Sequence, residues 1–282
     1  MNTIQVWVDG QIVDADAPSV RALDHGVTVG DGAFETCKIV RGEAFALTRH
    51  MARLGRTLAG LGLPAVDEGR VRDGVAAVLA AGDPIDFGRV RITVTGGAGP
   101  LSSDRNDSPA TIIVATTPSA PHAPSAAVVT VPWVRNERAA TAGLKTTSYA
   151  ENVIAVTHAR SLGAEEALLA NTRGELCEGT ASNVFVVTDG VLRTPPLDSG
   201  CLAGITRELA IEWSRKAGIE VVEETLPFDV LARAEEIIIT NSSRDVQGVH
   251  LVDDRSLVAP GPVTAQVVDV WRTAEADLGI DP

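Results

Sequence analysis

The sequence predicts an α+β protein of two domains, a smaller one in the N-terminal half and a larger one in the C-terminal half. Two features carry that prediction. Short apolar runs of strand length interleave in both halves with longer segments of helical period. The stretch PSAPHAPSA, residues 118–126, has three prolines and neither period, so it reads as a linker. At 282 residues the chain is long enough for one large domain or two modest ones. The expected division is therefore 1–117 for the small domain, 118–126 for the linker and 127–282 for the large domain.

The elements follow in order. IQVWV is a strand, and Asp9-Gly10 turns it. AFETCKIV and AFAL form a hairpin closed by Arg41-Gly42-Glu43. Thr48 to Leu61 places Met51, Leu54, Leu58 and Leu61 on one helical face. Val71 to Ala81 is a second helix, halted at Gly82-Asp83-Pro84. RVRITVTG and ATIIVATT are strands. The second half opens on the strand AVVTVPWV. Tyr149 to Leu162 is a helix whose Tyr149, Val153 and Val156 share a face. EALLA, NVFVV and VLRT are strands, with turns at Thr172-Arg173-Gly174 and Asp189-Gly190. Thr206 to Ala217 is a helix, followed by the strands IEVVEET and EEIIIT. Val263 to Leu278 closes the chain as a helix.

Charge and composition exclude several classes. The formal net charge is −13, which does not suit a nucleic-acid binder, because phosphate backbones demand a basic surface. It suits a protein that handles small molecules. The start, MNTIQVWVDG, has no basic region followed by an apolar run, so no signal peptide is expected. No run of about 18 apolar residues exists, so no membrane-spanning helix is expected. Three widely spaced cysteines, Cys37, Cys177 and Cys201, argue against a disulfide framework or a zinc site and for a reducing cytoplasm.

Two motifs mislead. TVTGGAGP ends a strand in glycines, but a dinucleotide site needs a helix to open directly after them, and LSSDRNDSP follows instead. AGLKTTSYAEN, residues 142–152, holds Lys145 and Tyr149 four residues apart. That spacing is the reverse of the Tyr-x-x-x-Lys pair of short-chain dehydrogenases. Lys145 is still unusual, because the chain has only three lysines, the others being Lys38 and Lys216. Lys216 fits the last turn of a helix, where a cation suits the dipole. Lys38 lies inside a strand. Lys145 sits between Leu144 and the hydroxyls of Thr146, Thr147 and Ser148. A surface lysine is one reading of it. A desolvated amine that forms a Schiff base with a carbonyl is the other.

The rest of the chain bears on that choice. A pyridoxal phosphate enzyme needs a lysine, an acid at the pyridine nitrogen, an anion site and a group near the ring hydroxyl. GELCEGTASNVFVV offers Glu178 beside small polar residues. GCLAGITRELAIEW puts Gly204-Ile205-Thr206 at a helix start, where free N–H groups bind anions. EEIIITNSSRD ends a strand in Thr240, Asn241, Ser242 and Ser243, a second donor cluster. Arg49, Arg53 and Arg56 form a stripe along a helix, which reads either as a solvated face or as the source of one arginine for a phosphate.

At these residues the chain resembles the fold-type IV pyridoxal phosphate enzymes, the class IV aminotransferases. LDHGVTVGDGAFET is similar to the family's Gly-Asp-Gly-x-Phe-Glu motif, and HMARL to its His-x-x-Arg-Leu. LKTTSYAEN, ELCEGTASNVFVV and PLDSGCLAGITRE match its lysine, Glu-Gly-x-x-Ser-Asn and Gly-Ile-Thr-Arg segments in the same order. The resemblance implies a small α/β domain and a larger cofactor-binding domain with a β-barrel-like core. It implies Lys145 as the Schiff-base lysine and Glu178 as the pyridine partner. It implies a phosphate held by Arg53, Ile205, Thr206 and Ser242, with Asn241, Ser182 and Asn183 around the cofactor and Tyr149 near its phenolic oxygen. It also implies a homodimer, an amino donor and a keto acid acceptor. Phe34, Thr36 and Arg91 are the expected substrate contacts.

Two departures shape the functional expectation. His25 stands where the family often has arginine. The D-amino acid enzymes keep an arginine and a histidine at positions that here are Leu101 and Ser103. Arg91 lies where branched-chain enzymes keep a carboxylate-binding arginine, although RVRITV also reads as a strand with its arginines outward. The expected activity is transfer of an amino group from a D-amino acid or (R)-amine to a keto acid. 4-Amino-4-deoxychorismate lyase and branched-chain L-amino acid transaminase are the alternatives within the family. A binding protein that kept the fold is the alternative outside it.

Overall fold

Asp9-Gly10, Arg41-Gly42 and Asp189-Gly190 each take positive φ at two consecutive residues, the geometry that turns a strand directly back on itself. In the computed structural model, which describes residues 4–282, the first two of these turns join strands of one antiparallel sheet. Its elements are β1 (Gln5–Val8), β2 (Gln11–Val13), the single turn α1 (His25–Thr28), β3 (Gly32–Val40), β4 (Glu43–Ala44), α2 (Leu47–Leu61), α3 (Glu68–Ala80), β5 (Phe87–Thr95) and β6 (Thr111–Pro118). The strand order is β2-β1-β6-β5-β3-β4. Cys37 and Ile39 of β3 alternate inward with Val90, Ile92 and Val94 of β5. They meet Met51, Leu54 and Leu58 of α2 and Val71, Val75 and Val78 of α3 in one core. α3 begins at Glu68, earlier than its apolar period suggests, because the Asp67 side chain accepts the Gly69 N–H at its start.

The second set is β7 (Ser125–Arg135), α4 (Ala150–Ser161), β8 (Glu166–Asn171), β9 (Leu176–Gly179), β10 (Asn183–Thr188), β11 (Val191–Thr194), α5 (Ile205–Lys216), β12 (Val221–Glu223), β13 (Glu236–Asn241), β14 (Asp245–Val252), β15 (Arg255–Ser256) and α6 (Pro262–Asp277). The sheet runs β12-β11-β10-β13-β14-β7-β8-β9, with β15 on β14. Ala126, Val128, Leu168, Leu176, Val184, Val186, Ile237, Ile239, Val249 and Val252 come from six of these strands and fill one interior. The sheet therefore curls around a shared core, which gives the barrel-like element of an α+β fold. α4 covers the outer side of β7 and β8, while α5 and α6 pack on β13 and β14. Among the described residues, no helix is long and apolar enough to cross a membrane.

The structure departs from the sequence expectations at several points. β9 and β14 were not anticipated, because ELCEG and DVQGVHLV carry charges and glycines that break the alternation. Tyr149 precedes α4. That helix turns Asn152, Ala155 and Ala159 inward and leaves Val153 and Ile154 exposed. Small residues face the sheet there because the helix lies close against it. Chain contacts divide the molecule after Pro121, and the short segment Leu144–Tyr149 groups with the N-terminal unit rather than with β7 and α4, which flank it in sequence.

Candidate active site

That grouping has a local cause. β4 pairs only with Ile39 and Val40, so the first residues of β3 keep an open edge. The segment around Lys145 takes that edge. Ala33 and Thr146 form an antiparallel bridge, the Phe34 N–H donates to the Lys145 carbonyl at 3.0 Å, and the Thr147 N–H donates to the Gly32 carbonyl at 2.8 Å. The hydroxyls of Thr147 and Ser148 both donate to the Gly30 carbonyl, at 2.8 and 2.9 Å. The hydroxyls beside Lys145 thus have a mechanical role: they fasten a lysine-bearing loop to a strand.

The same face of the sheet carries the expected substrate contacts. Phe34, Thr36 and Lys38 alternate on β3, and Thr36 stands opposite Arg91 of β5. The Phe34 ring gathers three groups. Lys145 Nζ lies 4.4 Å from its centroid, the Arg91 guanidinium carbon 3.8 Å from it, and the Tyr149 ring meets it edge-on at 5.2 Å. Arg91 is exposed on this face. Lys38 is buried, with its amine 4.9 Å from the Phe45 ring. Lys216 is a surface lysine at the end of α5, paired with Glu212 one turn earlier.

Of the three arginines along α2, only Arg53 is buried. Its Nε and Nη2 donate to the two oxygens of Glu35 at 2.8 and 2.6 Å, and His50 Nδ1 contacts the second oxygen at 2.7 Å. Burial pushes the Glu35 carboxyl up, but the charge and hydrogen bonds of Arg53 and the hydrogen bond from His50 prevail and hold it at about 2. Burial also lowers His50, so the imidazole is neutral and its Nδ1 carries the donated hydrogen.

Glu178, Ser182, Asn183, Ile205, Thr206, Asn241 and Ser242 all belong to the C-terminal unit. Glu178 Oε2 accepts the Leu202 N–H at 2.9 Å, and Arg135 Nε stands 3.1 Å from Oε1. Arg135 Nη1 also donates to Asn152 at 3.0 Å, and Asn152 in turn donates to the Thr180 carbonyl. Cys177 and Cys201 lie close by in sequence, but burial first and then Glu178 push both thiols up, Cys201 to about 11. Neither is a thiolate near neutral pH.

The donor set of this unit suits a phosphate. α5 starts at Ile205 with Gly204 as cap and no side-chain cap bond, so the first-turn N–H groups are available to an anion. Gly204 is required: a Cβ there would stand 1.9 Å from Asn183 Oδ1. Thr240, the last residue but one of β13, which packs against α5, has a buried hydroxyl with no hydrogen-bond partner among the described residues, directly before Asn241 and Ser242. Other expected cofactor residues spend their side chains on protein. Asn241 Oδ1 accepts from the backbone of Ser243 and Arg244 and from the Ser243 hydroxyl, building the turn. Asn183 Nδ2 donates to the Leu202 carbonyl.

Ser182 donates to Glu166, a residue that sequence reasoning passed over. Glu166 is 1% exposed and accepts the N–H groups of Ala167, Thr180 and Ala181 and the hydroxyls of Thr180 and Ser182. It holds the turn between Glu178 and Asn183. We expect Glu166→Ala to cost about 3 kcal/mol or more in denaturant unfolding, because several buried donors lose their acceptor together. A loss below about 1 kcal/mol would mean that the turn holds itself.

Comparison with known proteins adds the following. A family profile described as amino-transferase class IV matches residues 32–252. A Methanocaldococcus jannaschii protein that bears a provisional branched-chain-amino-acid aminotransferase name is 31% identical over 290 residues, covering 98% of each chain. The D-alanine aminotransferase of Staphylococcus haemolyticus is 29% identical over 283 residues, covering 93% of this chain and 95% of its own. The structure of the branched-chain aminotransferase of the thermophilic archaeon Thermoproteus uzoniensis with norvaline matches with a TM-score of 0.88 at 28% identity, covering 95% of this chain and 93% of that one.

Proposed function

The chain belongs to the class IV amino-transferases, which are pyridoxal phosphate-dependent, and within that family we propose that it moves an amino group from a D-amino acid, or less readily an (R)-amine, to a keto acid. Lys145 is the residue that carries the cofactor in this reading. Glu178 is the acid facing the pyridine nitrogen. Arg53, the start of α5 at Ile205 and Thr206, and Ser242 hold the phosphate. Bound pyridoxal phosphate supplies the electron sink. The chain's own residues do the rest. Lys145 Nζ, displaced by the substrate amine, takes the proton from the substrate α-carbon. Glu178 holds a proton on the pyridine nitrogen, so that the ring draws electron density away from the reacting carbon.

The observation that carries the choice of substrate is the shared Phe34 ring. Arg91 and Lys145 both lean on it, so a fixed cation stands no farther from the reactive amine than those two distances laid end to end. An amino acid offers Arg91 a carboxylate one bond from the reacting carbon, and a simple amine offers nothing. This supports amino acids over amines as donors. Leu101 and Ser103, at the positions of the D-amino acid enzymes' carboxylate trap, are both exposed, so Arg91 is the group left to meet that charge. The relatives from Methanocaldococcus jannaschii and Thermoproteus uzoniensis favour a second reading, transfer from branched-chain L-amino acids.

The test is a half-reaction scan. The holoenzyme is mixed with D-amino acids, L-amino acids and (R)- and (S)-amines, and loss of the visible cofactor band is followed. Rapid bleaching by D-amino acids is expected. Bleaching by L-branched amino acids instead would move the assignment to the second reading, and no bleaching by any donor together with pyruvate release from added 4-amino-4-deoxychorismate would move it to the lyase. Arg91→Leu should raise KM for amino acid donors about 10- to 100-fold and leave amines unchanged. Equal effects on both would remove Arg91 from carboxylate binding. The proposal includes a homodimer in the cytoplasm, and light scattering of the purified chain checks the oligomeric state.

A further inference from the structure

Glu35 is a charged residue at a position where the fold asks for an apolar one. It is fully buried on β3, on the same side of the strand as Cys37 and Ile39, which pack into the core beneath α2. His50 and Arg53 are three residues apart on α2 and so share the face that meets β3. Both are buried as well. An ion pair placed this deep is a poor source of stability, because desolvation offsets most of its attraction and an apolar pair of similar volume holds two elements together as well. Its value lies in direction. Both Glu35 contacts to the arginine run through the Nε–Nη2 edge. That two-point contact fixes the plane of the guanidinium, which a flexible side chain on a helix does not fix alone. His50, donating from Nδ1 to Oε2, fixes the carboxylate in turn.

We infer that Glu35 and His50 are positioning residues for Arg53: together they set the guanidinium in the orientation in which it receives the cofactor phosphate. The inference rests on the reading of Arg53 as the phosphate arginine. On this view neither Glu35 nor His50 touches the cofactor. Each acts through Arg53, so their removal is felt at the phosphate and not at the aldehyde or the ring.

A cofactor without its phosphate separates this role from a purely structural tie between β3 and α2. The full chain, stripped of cofactor, is titrated with pyridoxal phosphate and with pyridoxal, and binding is followed by visible absorbance and by quenching of protein fluorescence. Glu35→Gln keeps the volume but not the two-point contact. It is expected to weaken pyridoxal phosphate binding about tenfold and to leave pyridoxal binding unchanged. His50→Gln, which spares the Glu35–Arg53 pair, should act in the same direction with a smaller effect, and it serves if Glu35→Gln does not fold. Arg53→Ala should remove the preference for the phosphorylated form, and the double variant with Glu35→Gln should be no worse than Arg53→Ala alone. Equal weakening of both ligands by the folded Glu35 and His50 variants, or no weakening of either, overturns the inference. If Arg53→Ala itself preserves the preference, the phosphate reading of Arg53 fails instead, and the two failures are told apart by that single variant.

Discussion

Lys145→Ala is expected to abolish amino transfer and to leave a folded protein. Borohydride should fix pyridoxal phosphate covalently on the unaltered chain and on no chain that lacks this lysine. Turnover should fall by about 10³-fold or more, because the variant loses both the covalent attachment and the proton-transferring amine. The fold should survive, since the loop is held through main-chain atoms that the substitution does not touch. The Lys145 carbonyl accepts from Phe34, the Thr147 N–H donates to Gly32, and two neighbouring hydroxyls donate to Gly30. The cation over the Phe34 ring is worth about 0.5–1 kcal/mol. Lys145→Arg separates charge from chemistry. It restores a cation over Phe34 but offers no nucleophile at neutral pH, so it should recover stability and none of the activity. A borohydride-stable adduct on Lys145→Ala would transfer the role to another lysine, and buried Lys38 would be the next to examine.

The elements that were legible from the sequence are those whose apolar period was long and uninterrupted. α2 and β13 fall where their patterns put them, within one residue. β14 escaped notice because Gln247 and Gly248 sit inside it, and a strand between a polar turn and a short hairpin shows too little alternation to stand out. α4 is legible as a helix, but the face it packs is not the one that Tyr149, Val153 and Val156 mark out: Asn152, Ala155 and Ala159 turn inward, because alanines let the helix approach the sheet. The site divides in the same way. Residues inside contiguous motifs, such as Lys145, Glu178 and the Gly204–Thr206 helix start, stand out in the sequence as candidates; the residues that contact them from other elements do not. In the sequence Glu35 is only the last letter of a motif, although a glutamate alternating with Cys37 and Ile39 on a buried strand, and a histidine and arginine on the core side of a helix, are jointly a sign of a buried polar network. Glu166 was hidden as one of two adjacent glutamates. Arg135 gave no sign, because nothing in PWVRNER states what lies beside it in space.

Arg135 governs how the second large effect must be measured. Glu178 sits 8% exposed between the Leu202 N–H and the Arg135 guanidinium. The Arg135 Nε–H makes no well-aligned hydrogen bond, so its contact with Glu178 is ionic. Removing the whole side chain therefore does two things. In the proposed reading Glu178→Ala takes the carboxylate from the cofactor; it also leaves a largely buried arginine without its nearest counter-charge and the Leu202 N–H without its acceptor, a structural cost of about 1–3 kcal/mol. Loss of activity in that variant does not by itself assign a chemical role. Glu178→Gln does better. Its amide oxygen still accepts from Leu202, and its shape still fills the space, so unfolding free energy should fall by about 1 kcal/mol or less. The negative charge is gone, however, and a neutral amide beside Arg135 no longer favours a proton on a pyridine nitrogen. Turnover should drop about 10- to 100-fold, the worth of one hydrogen bond to a charged partner, with KM for the amino donor little changed. Glu178→Asp should recover part of the rate while the shorter side chain sacrifices the Leu202 contact, so its stability should lie below that of Glu178→Gln. That crossing is the decisive result: a rate order of Asp above Gln together with a stability order of Gln above Asp places the charge in the chemistry. If rate and stability instead fall together through Asp, Gln and Ala, Glu178 is a structural residue that only keeps β9 and the 202 loop in register.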